Sequence, residues 1–187
     1  MIFDTETSGL PASYKASFSD VTIWPRIVEI AWIILDEAQN PVSTSQFIVR
    51  PDGFEITSGA SSIHGITTKK AQLEGSPLRY VLACFAEDLS DVGRLVAHNI
   101  DFDFPVVNCE LLRSEMPSTL LSKEKYCTMK STTDLCNIPG PYGPKWPRLE
   151  ELYEFLFARE FVEAHRAMHD VQATTECYLE LLKRGIV

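Results

Sequence analysis

The feature that most constrains the fold is a nine-residue segment, Ile27–Leu35, in which every residue except Glu29 is apolar. Ile and Val dominate it, and it is far shorter than the roughly 20 residues that a membrane-spanning helix needs. A strand that is apolar at successive positions is covered on both of its faces. The segment therefore predicts a central strand in a sheet with helices packed on both sides.

Shorter apolar segments flank this strand and complete the predicted architecture. Further strands are expected at Ile2 and Phe3 and at 45–49, 94–97 and 126–128. Apolar residues at helical spacing predict helices at 77–89, 102–115, 129–136, 149–157 and 168–183, and one more from about Thr68 after a loop at 62–67, with Thr67 or Thr68 as its N-cap. Segments 11–25 and 139–144 are expected to be loops, and Pro105 to lie in the first turn of its helix. Three strands followed by alternating strands and helices predict an α/β layered domain with a mixed sheet.

Composition bounds the class of protein. The 187 residues suit one domain spanning 1–187, and 45% hydrophobic with 23% charged residues is typical of a soluble globular protein. The five cysteines are an odd number without a C-x-x-C pair, which favours reduced thiols over a disulfide framework or a zinc site. Without a membrane-spanning run or a secretory signal, we expect a cytoplasmic protein that does not associate with membranes.

The formal net charge of −9 limits the possible partners. A protein that holds long duplex nucleic acid by bulk charge is normally basic, so this chain is not expected to bind duplexes tightly. The charge does not exclude a carboxylate site that recruits divalent cations, because those cations invert the local field.

Two carboxylates, Asp4 and Glu6, follow the first apolar strand at alternate positions. Residues i and i+2 of a strand point to the same face, so these like charges lie close together and raise each other's pKa unless a cation lies between them. Carboxylate oxygens suit Mg²⁺ or Mn²⁺. Taken alone, the pair also fits two solvated residues in a loop after an edge strand.

Two more acids, Asp103 and Asp170, are predicted near the starts of helices. There they could bind a metal or simply interact favourably with the helix dipole. Asp101 is a rival for the first position, although a helix that starts at residue 102 orients Asp103 better.

His165 is the remaining candidate in this part of the chain. It lies five residues before Asp170, about 140° away on a helix, so the two converge only if His165 sits on the preceding loop. It could instead cap the helix or lie exposed at the surface. A zinc pair with His169 is disfavoured by the surrounding acids.

Three motifs in chain order resemble the signature of the DEDDh 3′→5′ exonucleases. They are Asp4-x-Glu6, His98-Asn99-x-x-Phe102-Asp103 and His165-x-Ala167-x-x-Asp170, with secondary matches in segments 4–10, 26–31 and 63–67. Within that family the chain is most similar to proofreading-type exonucleases related to the epsilon subunit of the bacterial replicative polymerase. The matches cover nearly the whole chain.

The resemblance implies a ribonuclease-H-like, three-layer fold with a mixed five-stranded sheet flanked by helices. It also implies that Asp4, Glu6, Asp103 and Asp170 hold two Mg²⁺ or Mn²⁺ ions and that His165 is the general base. Two cations about 4 Å apart stabilise the attacking and leaving oxygens of phosphodiester hydrolysis, and a histidine titrates near neutral pH. The sister group with a catalytic tyrosine is excluded, because Arg166 stands where its tyrosine would be.

The resemblance further implies a set of residues that bind the terminal nucleotide. These are Thr5, Thr7, Gly9, Leu10, His64, Gly65, Asn99 and Phe102. Small residues allow close backbone approach, and a phenyl ring offers a face for stacking. Phe102 could equally belong to the core, and His64 and His98 could equally be structural histidines.

The function expected from this resemblance is metal-dependent 3′→5′ exonuclease activity on single-stranded 3′ ends, which releases nucleoside 5′-monophosphates, with DNA favoured over RNA as substrate. An RNA-trimming exonuclease and a non-catalytic polymerase-accessory module are the alternatives. Since the surface is acidic even outside the site, we expect weak, salt-sensitive binding of frayed ends. The short first strand and the absence of a tail after the last helix suggest a start upstream of Met1 or a truncated strand, and a stand-alone enzyme whose polymerase partner is uncertain.

Overall fold

The computed structural model describes residues 1–161 and 166–187. Its main sheet has five strands in the order β3-β2-β1-β4-β5. The strands are β1 Ile2–Thr7, β2 Ile27–Leu35, β3 Pro41–Ile48, β4 Arg94–Ala97 and β5 Glu124–Cys127. The first three strands pair antiparallel, whereas β4 runs parallel to both β1 and β5. The predicted mixed five-stranded sheet is therefore confirmed.

Helices cover both faces of this sheet, as the apolar β2 requires. They are α1 Ser58–His64, α2 Thr68–Glu74, α3 Leu78–Leu89, α4 Ile100–Arg113, α5 Thr128–Ser131, α6 Thr133–Cys136, α7 Leu149–Phe157 and α8 Ala167–Lys183. One face packs against α3 and α4 and contains Phe3, Trp32 and Phe85. The Trp32 and Phe85 rings meet edge to face at 5.2 Å, a geometry that adds about 0.5–1.5 kcal/mol beyond burial alone. The opposite face packs against α8 through Ala31 and Val171.

The first strand is longer than the sequence suggested. It has six residues, and it contains Asp4 and Glu6 rather than ending before them. Asp4 pairs with Ala31 and Glu6 with Glu29 of β2, so the long neighbouring strand extends β1 through both acids. The prediction that the strand ends at Phe3 was wrong, because β1 continues to Thr7.

The helix α1 was missed, and residues 62–64 belong to it rather than to a loop. Its sequence is rich in serine and lacks apolar residues at helical spacing. Its ends are defined instead by Thr57, whose hydroxyl accepts the Ala60 N–H at 3.2 Å, and by Gly65, whose φ of 73° favours glycine. Thr67 caps α2 by accepting the Lys70 N–H at 3.1 Å, as predicted.

The helix α4 begins at Ile100, two residues earlier than predicted, directly after Asn99 in a left-handed conformation with φ 76°. Pro105 consequently lies inside the helix and not in its first turn. Because proline has no N–H, the carbonyl of Asp101 receives no helical hydrogen bond from it.

Smaller corrections concern the second half of the chain. Segment 139–144 is a two-stranded ribbon of β6 Pro139–Gly140 and β7 Gly143–Pro144, not a plain loop. In α7, Phe155 is 44% exposed, whereas Tyr153 is buried. No helix within 1–161 or 166–187 has the length and apolar character to cross a membrane.

Candidate active site

Three carboxylates meet where β1 passes the start of α8. Asp4 and Glu6 project from the same face of β1, and Asp170 lies in the first turn of α8. One oxygen from each of the three lies within 4.8 Å of the others. Residues 164 or more positions apart in the chain thus share one small volume, as the predicted metal site requires.

A fourth acid, Glu29, holds the beginning of α8 against the sheet. Its carboxylate is fully buried and accepts hydrogen bonds from Arg166 at 2.9 and 3.2 Å, from the Ala167 N–H at 3.1 Å and from Gln46 at 2.8 Å. Glu29 is also the strand partner of Glu6. It therefore positions Asp170, a role that sequence reasoning missed although an acid inside an apolar strand was a visible signal.

Asp103 approaches the same volume from the first turn of α4. Its Oδ1 accepts the backbone N–H of Thr5 at 2.9 Å and the Thr5 hydroxyl at 2.7 Å, and the residue is buried. Asp101, its rival, is exposed and pairs with Lys130. Asp103 is thus the acid of this turn that faces β1, although its oxygens are not among the three within 4.8 Å of each other.

Crowding and burial suppress the ionisation of three of these acids, Asp4, Glu6 and Asp103. Burial, followed by the charges of neighbouring acids, raises the pKa of Asp4 well above its usual range and that of Glu6 to about 8. Burial raises the pKa of Asp103 to about 7 in spite of the two hydrogen bonds from Thr5. A set of four carboxylates that line one cavity fits a hard divalent cation, whose charge would offset their mutual repulsion.

His165, the candidate general base, lies outside the described residues. The alternative zinc pair of His165 with His169 lies partly outside them for the same reason. Both assignments remain predictions from the sequence.

A cavity of about 410 Å³ opens beside the acids. Four of the residues expected to bind nucleotide contribute to its wall, namely Thr5, Leu10, Asn99 and Phe102. Tyr14 and His98, which were not proposed as site residues, also contribute. A cavity of this size is suited to a small ligand such as a mononucleotide rather than to a duplex.

The other four expected residues, Thr7, Gly9, His64 and Gly65, do not contribute to this wall. The Thr7 hydroxyl donates to the carbonyl of Gly9 at 2.7 Å, and Gly65 ends α1. His64 is buried, with its Nδ1 accepting the Ile66 N–H at 3.1 Å and its Nε2 lying 3.3 Å from the Thr7 carbonyl. Since Nδ1 accepts, Nε2 carries the proton and donates to Thr7, in keeping with a pKa that burial lowers.

His98 has two partners that fix its ring in the wall. Its Nδ1 lies 2.9 Å from the Thr128 hydroxyl and its Nε2 lies 3.0 Å from the carbonyl of Pro147. Burial lowers the pKa of this imidazole to about 4, so it is neutral at physiological pH. His98 thus ties the segment after the β6–β7 ribbon to the edge of the site.

Two aromatic residues, Tyr14 and Phe102, contribute to the wall of this cavity. The Phe102 ring lies 6.4 Å from both the Tyr14 and Trp24 rings. Tyr14 and Trp24 come from the long polar segment 11–25, where aromatic residues are unusual. Their presence in such a segment was the signal that could have identified this wall.

Comparison with known proteins bears on the family and the fold. The family model RNase_T, described as exonuclease, matches residues 1–178. A search of curated proteins finds no match. Among solved structures, the zinc-bound form of an E. coli ExoI–ssDNA complex superposes with a TM-score of 0.77 at 22% identity, covering 98% of this chain and 40% of that one. E. coli exonuclease I in complex with a dA16 oligonucleotide gives 0.74 at 21% identity, with coverages of 97% and 40%.

These superpositions establish a shared fold, and they confirm the predicted three-layer, ribonuclease-H-like architecture. The chain spans about two fifths of the length of the exonuclease I chains that it matches.

Proposed function

Since the chain belongs to the RNase_T exonuclease family, we propose that it removes nucleotides from single-stranded 3′ ends of DNA and releases nucleoside 5′-monophosphates. The observation that carries this proposal is the convergence of Asp4, Glu6 and Asp170 in the described structure, with Asp103 beside them. We take residues 1–187 to form a single exonuclease domain.

Two divalent cations, Mg²⁺ or Mn²⁺, would be held by Asp4, Glu6, Asp103 and Asp170. When bound, such ions stabilise the negative charge that develops on the attacking and leaving oxygens of a phosphodiester. The protein's part is to fix the carboxylates. Thr5 holds Asp103 through two hydrogen bonds, and Glu29 holds the first turn of α8.

The wall of the cavity would orient the terminal nucleotide. Phe102 and Tyr14 offer ring faces for the base, and Leu10 is 76% exposed at the entrance. A cavity of about 410 Å³ admits one unpaired nucleotide, so a duplex end has to fray before it can be cleaved.

His165 would accept the proton of the attacking water. What supports this role is its place in the chain, because its neighbour Arg166 is bound to Glu29, the strand partner of Glu6. A histidine serves as a base near neutral pH without a large change in its pKa.

DNA is proposed as the substrate because the similar exonuclease I structures hold oligodeoxynucleotides. Trimming of RNA on the same scaffold is the alternative within enzymes. A cytoplasmic location is proposed because all five cysteines are free thiols in the fold.

The decisive experiment is digestion of 5′-labelled DNA and RNA oligonucleotides with Mg²⁺ or Mn²⁺. A ladder that shortens from the 3′ end is expected for the wild type. Asp4→Asn should abolish it, and His165→Ala should slow it by about 10²–10⁴-fold. Asp101→Asn is the matched control, since this exposed acid lies in the same helical turn as Asp103 but outside the cavity.

Equal rates for all four proteins would refute the proposed active site. Binding of oligonucleotides without any cleavage by the wild type would favour the non-catalytic accessory module instead.

A further inference from the structure

A second cavity, of about 750 Å³, lies between the ends of β2 and β3 and the helices α3 and α4. Four arginines contribute to its wall, Arg26, Arg50, Arg79 and Arg113, against two acids, Asp52 and Glu110. In a chain with a net charge of −9, this concentration of positive charge is a local exception.

One of the acids is shared by two of the arginines. The Glu110 side chain is 1% exposed, and its carboxylate lies 2.7 Å from Arg26 Nε and 3.3 Å from Arg113 Nη1. It also accepts the Ile27 N–H at 3.0 Å. One carboxylate cannot neutralise two guanidinium groups, so this buried pairing leaves a unit of positive charge at the floor of the cavity.

The arginines differ in how many donors remain for a ligand. Arg113 is committed to the fold, because it donates to the carbonyls of Val21 and Trp24 at 2.5 and 2.6 Å. Arg79 is exposed and donates from Nη1 to the carbonyl of Ser114 at 2.8 Å. Since a guanidinium has five N–H donors, Arg79 retains several for a ligand.

The Arg50 side chain is exposed and makes no hydrogen bond or ion pair with residues 1–161 or 166–187. Its backbone is nevertheless fixed. The Arg50 N–H donates to the carbonyl of Ser76 at 2.8 Å. A side chain at Gly75 would collide with this segment, because its Cβ would lie 2.6 Å from the Arg50 backbone nitrogen. The glycine thus allows α2 to end against Arg50, whose guanidinium is presented to the cavity from a rigid base.

Two features link this cavity to the active site, namely the hydrogen bonds between Ser8 and Arg26 and the helix α4. Ser8, two residues beyond Glu6, donates its N–H to the Arg26 carbonyl at 2.9 Å and accepts the Arg26 N–H at 3.1 Å. Helix α4 carries Asp103 near one end and Arg113 at the other, and the ten-residue separation corresponds to about 15 Å at 1.5 Å per residue. A substrate strand therefore has to extend roughly 15 Å beyond the bond being cleaved to reach this cavity, which takes more than one nucleotide.

We infer that the arginine-lined cavity binds backbone phosphates of the substrate strand on the 5′ side of the bond being cleaved. The planar donors of arginine match the geometry of phosphate oxygens. The site would hold a strand while its 3′ end enters the acidic cavity, where the net negative charge of the protein opposes binding. This inference rests on the proposed nucleic-acid substrate.

The test combines binding and cleavage for Arg50→Ala, with Lys183→Ala as the control. Lys183 is 80% exposed near the far end of α8, and its replacement removes the same charge. Binding of a fluorescent single-stranded dodecamer is measured in EDTA over a series of salt concentrations. The slope of log K against log salt should become shallower by about 0.7 in Arg50→Ala for each phosphate that the variant no longer binds, and should change little in Lys183→Ala.

Cleavage assays measure how the effect of the substitution depends on the length of the oligonucleotide. The ratio of kcat/KM for a dodecamer to that for a trimer should fall about tenfold in Arg50→Ala, because only the longer strand reaches the cavity. Arg50→Lys should give an intermediate ratio, since it keeps the charge and removes the planar donors.

The outcomes separate the two proposals. If the wild type degrades DNA but Arg50→Ala matches Lys183→Ala in both slope and length ratio, the inference is wrong and the proposed function stands. If the wild type degrades neither DNA nor RNA, the proposed function fails, and the salt slopes in EDTA still test the phosphate site. If polyglutamate, but not the oligonucleotide, binds more weakly to Arg50→Ala, the cavity takes an acidic peptide and the inference is overturned.

Discussion

The two ends of helix α4 face cavities of opposite charge. At its first turn Asp103 joins Asp4, Glu6 and Asp170 in a carboxylate cluster, and near its last turn Glu110 is outnumbered by arginines. Of the residues that the structure describes, four acids and no lysine or arginine line the first cavity, whereas four arginines and two acids line the second. The net charge of −9 therefore describes neither cavity, because the field at each is set mainly by its own lining residues.

The largest expected effect concerns the arginine end. Replacing the buried Glu110 by Ala leaves Arg26 and Arg113 facing each other without their shared acid, and should lower the free energy of unfolding by about 3–5 kcal/mol. Urea unfolding measures this difference. Glu124→Ala is the control, because its pair with Arg94 is exposed and should contribute no more than about 1 kcal/mol. Similar losses of stability in the two variants would show that the buried Glu110 stabilises the fold no more than an exposed ion pair does.

At the acidic end, removing a charge should have the opposite effect on stability. Glu6→Gln should relieve repulsion among the carboxylates and leave the metal-free protein at least as stable as the wild type. The same change should lower kcat by about 10²–10³-fold, because it removes one of the charges fixed for the transition state. Glu180→Gln, in the last turns of α8, should leave kcat unchanged. A destabilised Glu6→Gln protein would contradict the view that this cluster is strained without metal.

The pH dependence of stability offers a smaller but independent test. Glu6 and Asp103 have pKa values of about 8 and 7 in the folded protein and near 4 when unfolded, so between these limits the folded state binds more protons. Stability of the metal-free protein should therefore fall as the pH rises from about 5 to 8.

Burial lowers the pKa of His98 to about 4, that of the Met1 ammonium to about 6 and also that of His64, so these three groups bind fewer protons in the folded state and oppose the trend. The raised pKa of Asp4 adds to the fall, and the three acids together outweigh the opposing groups. The lowered pKa of Glu29 acts below this window.

Divalent cations should cancel this fall in stability. At a hundredfold excess over Kd, Mn²⁺ should stabilise the protein by about 2.7 kcal/mol, which corresponds to a rise in Tm of about 5–11 °C at pH 8. Thermal unfolding with and without Mn²⁺ at pH 5 and pH 8 measures both effects. A Tm that is insensitive to Mn²⁺ at pH 8 would exclude the carboxylate cluster as a cation site.

The smallest effect is expected at the aromatic wall. Tyr14→Ala should weaken stacking of the terminal base by about 1–3 kcal/mol, and this should appear as a raised KM. Tyr142→Ala is a suitable control, because this tyrosine is fully exposed in the β6–β7 ribbon and does not contribute to the cavity wall. Equal KM values for the two variants would remove Tyr14 from the substrate path.

Much of the fold follows from local patterns. The apolar segment Ile27–Leu35 and the helix Leu149–Phe157 were predicted with their observed bounds, since each buries a face that the sequence marks by hydrophobic spacing. Helix α1 was not predicted, because its residues are mostly small and polar and it is defined by its caps. Helix α4 begins two residues earlier than predicted, directly after Asn99 in a left-handed conformation. The spacing of apolar residues does not reveal a left-handed residue, so this start could not be predicted.

The site was predictable only where a motif existed. Asp4, Glu6, Asp103 and Asp170 stood out by spacing and resemblance, and the structure brings them to one cavity. The roles of Glu29 and His98 depend on contacts with residues 137 and 49 positions away, which spacing along the chain cannot reveal. The arginine-lined cavity was not predicted for the same reason, since its four arginines lie far apart in the sequence.

The ion pair between Glu29 and Arg166 has a consequence for synthesis of the protein. It joins residues 137 positions apart, and Asp170 reaches the cluster only when α8 has docked. A nascent chain whose residues 167–183 are still inside the ribosome holds at most three of the four acids. Translation therefore delays assembly of the carboxylate cluster until α8 has emerged and docked on the sheet.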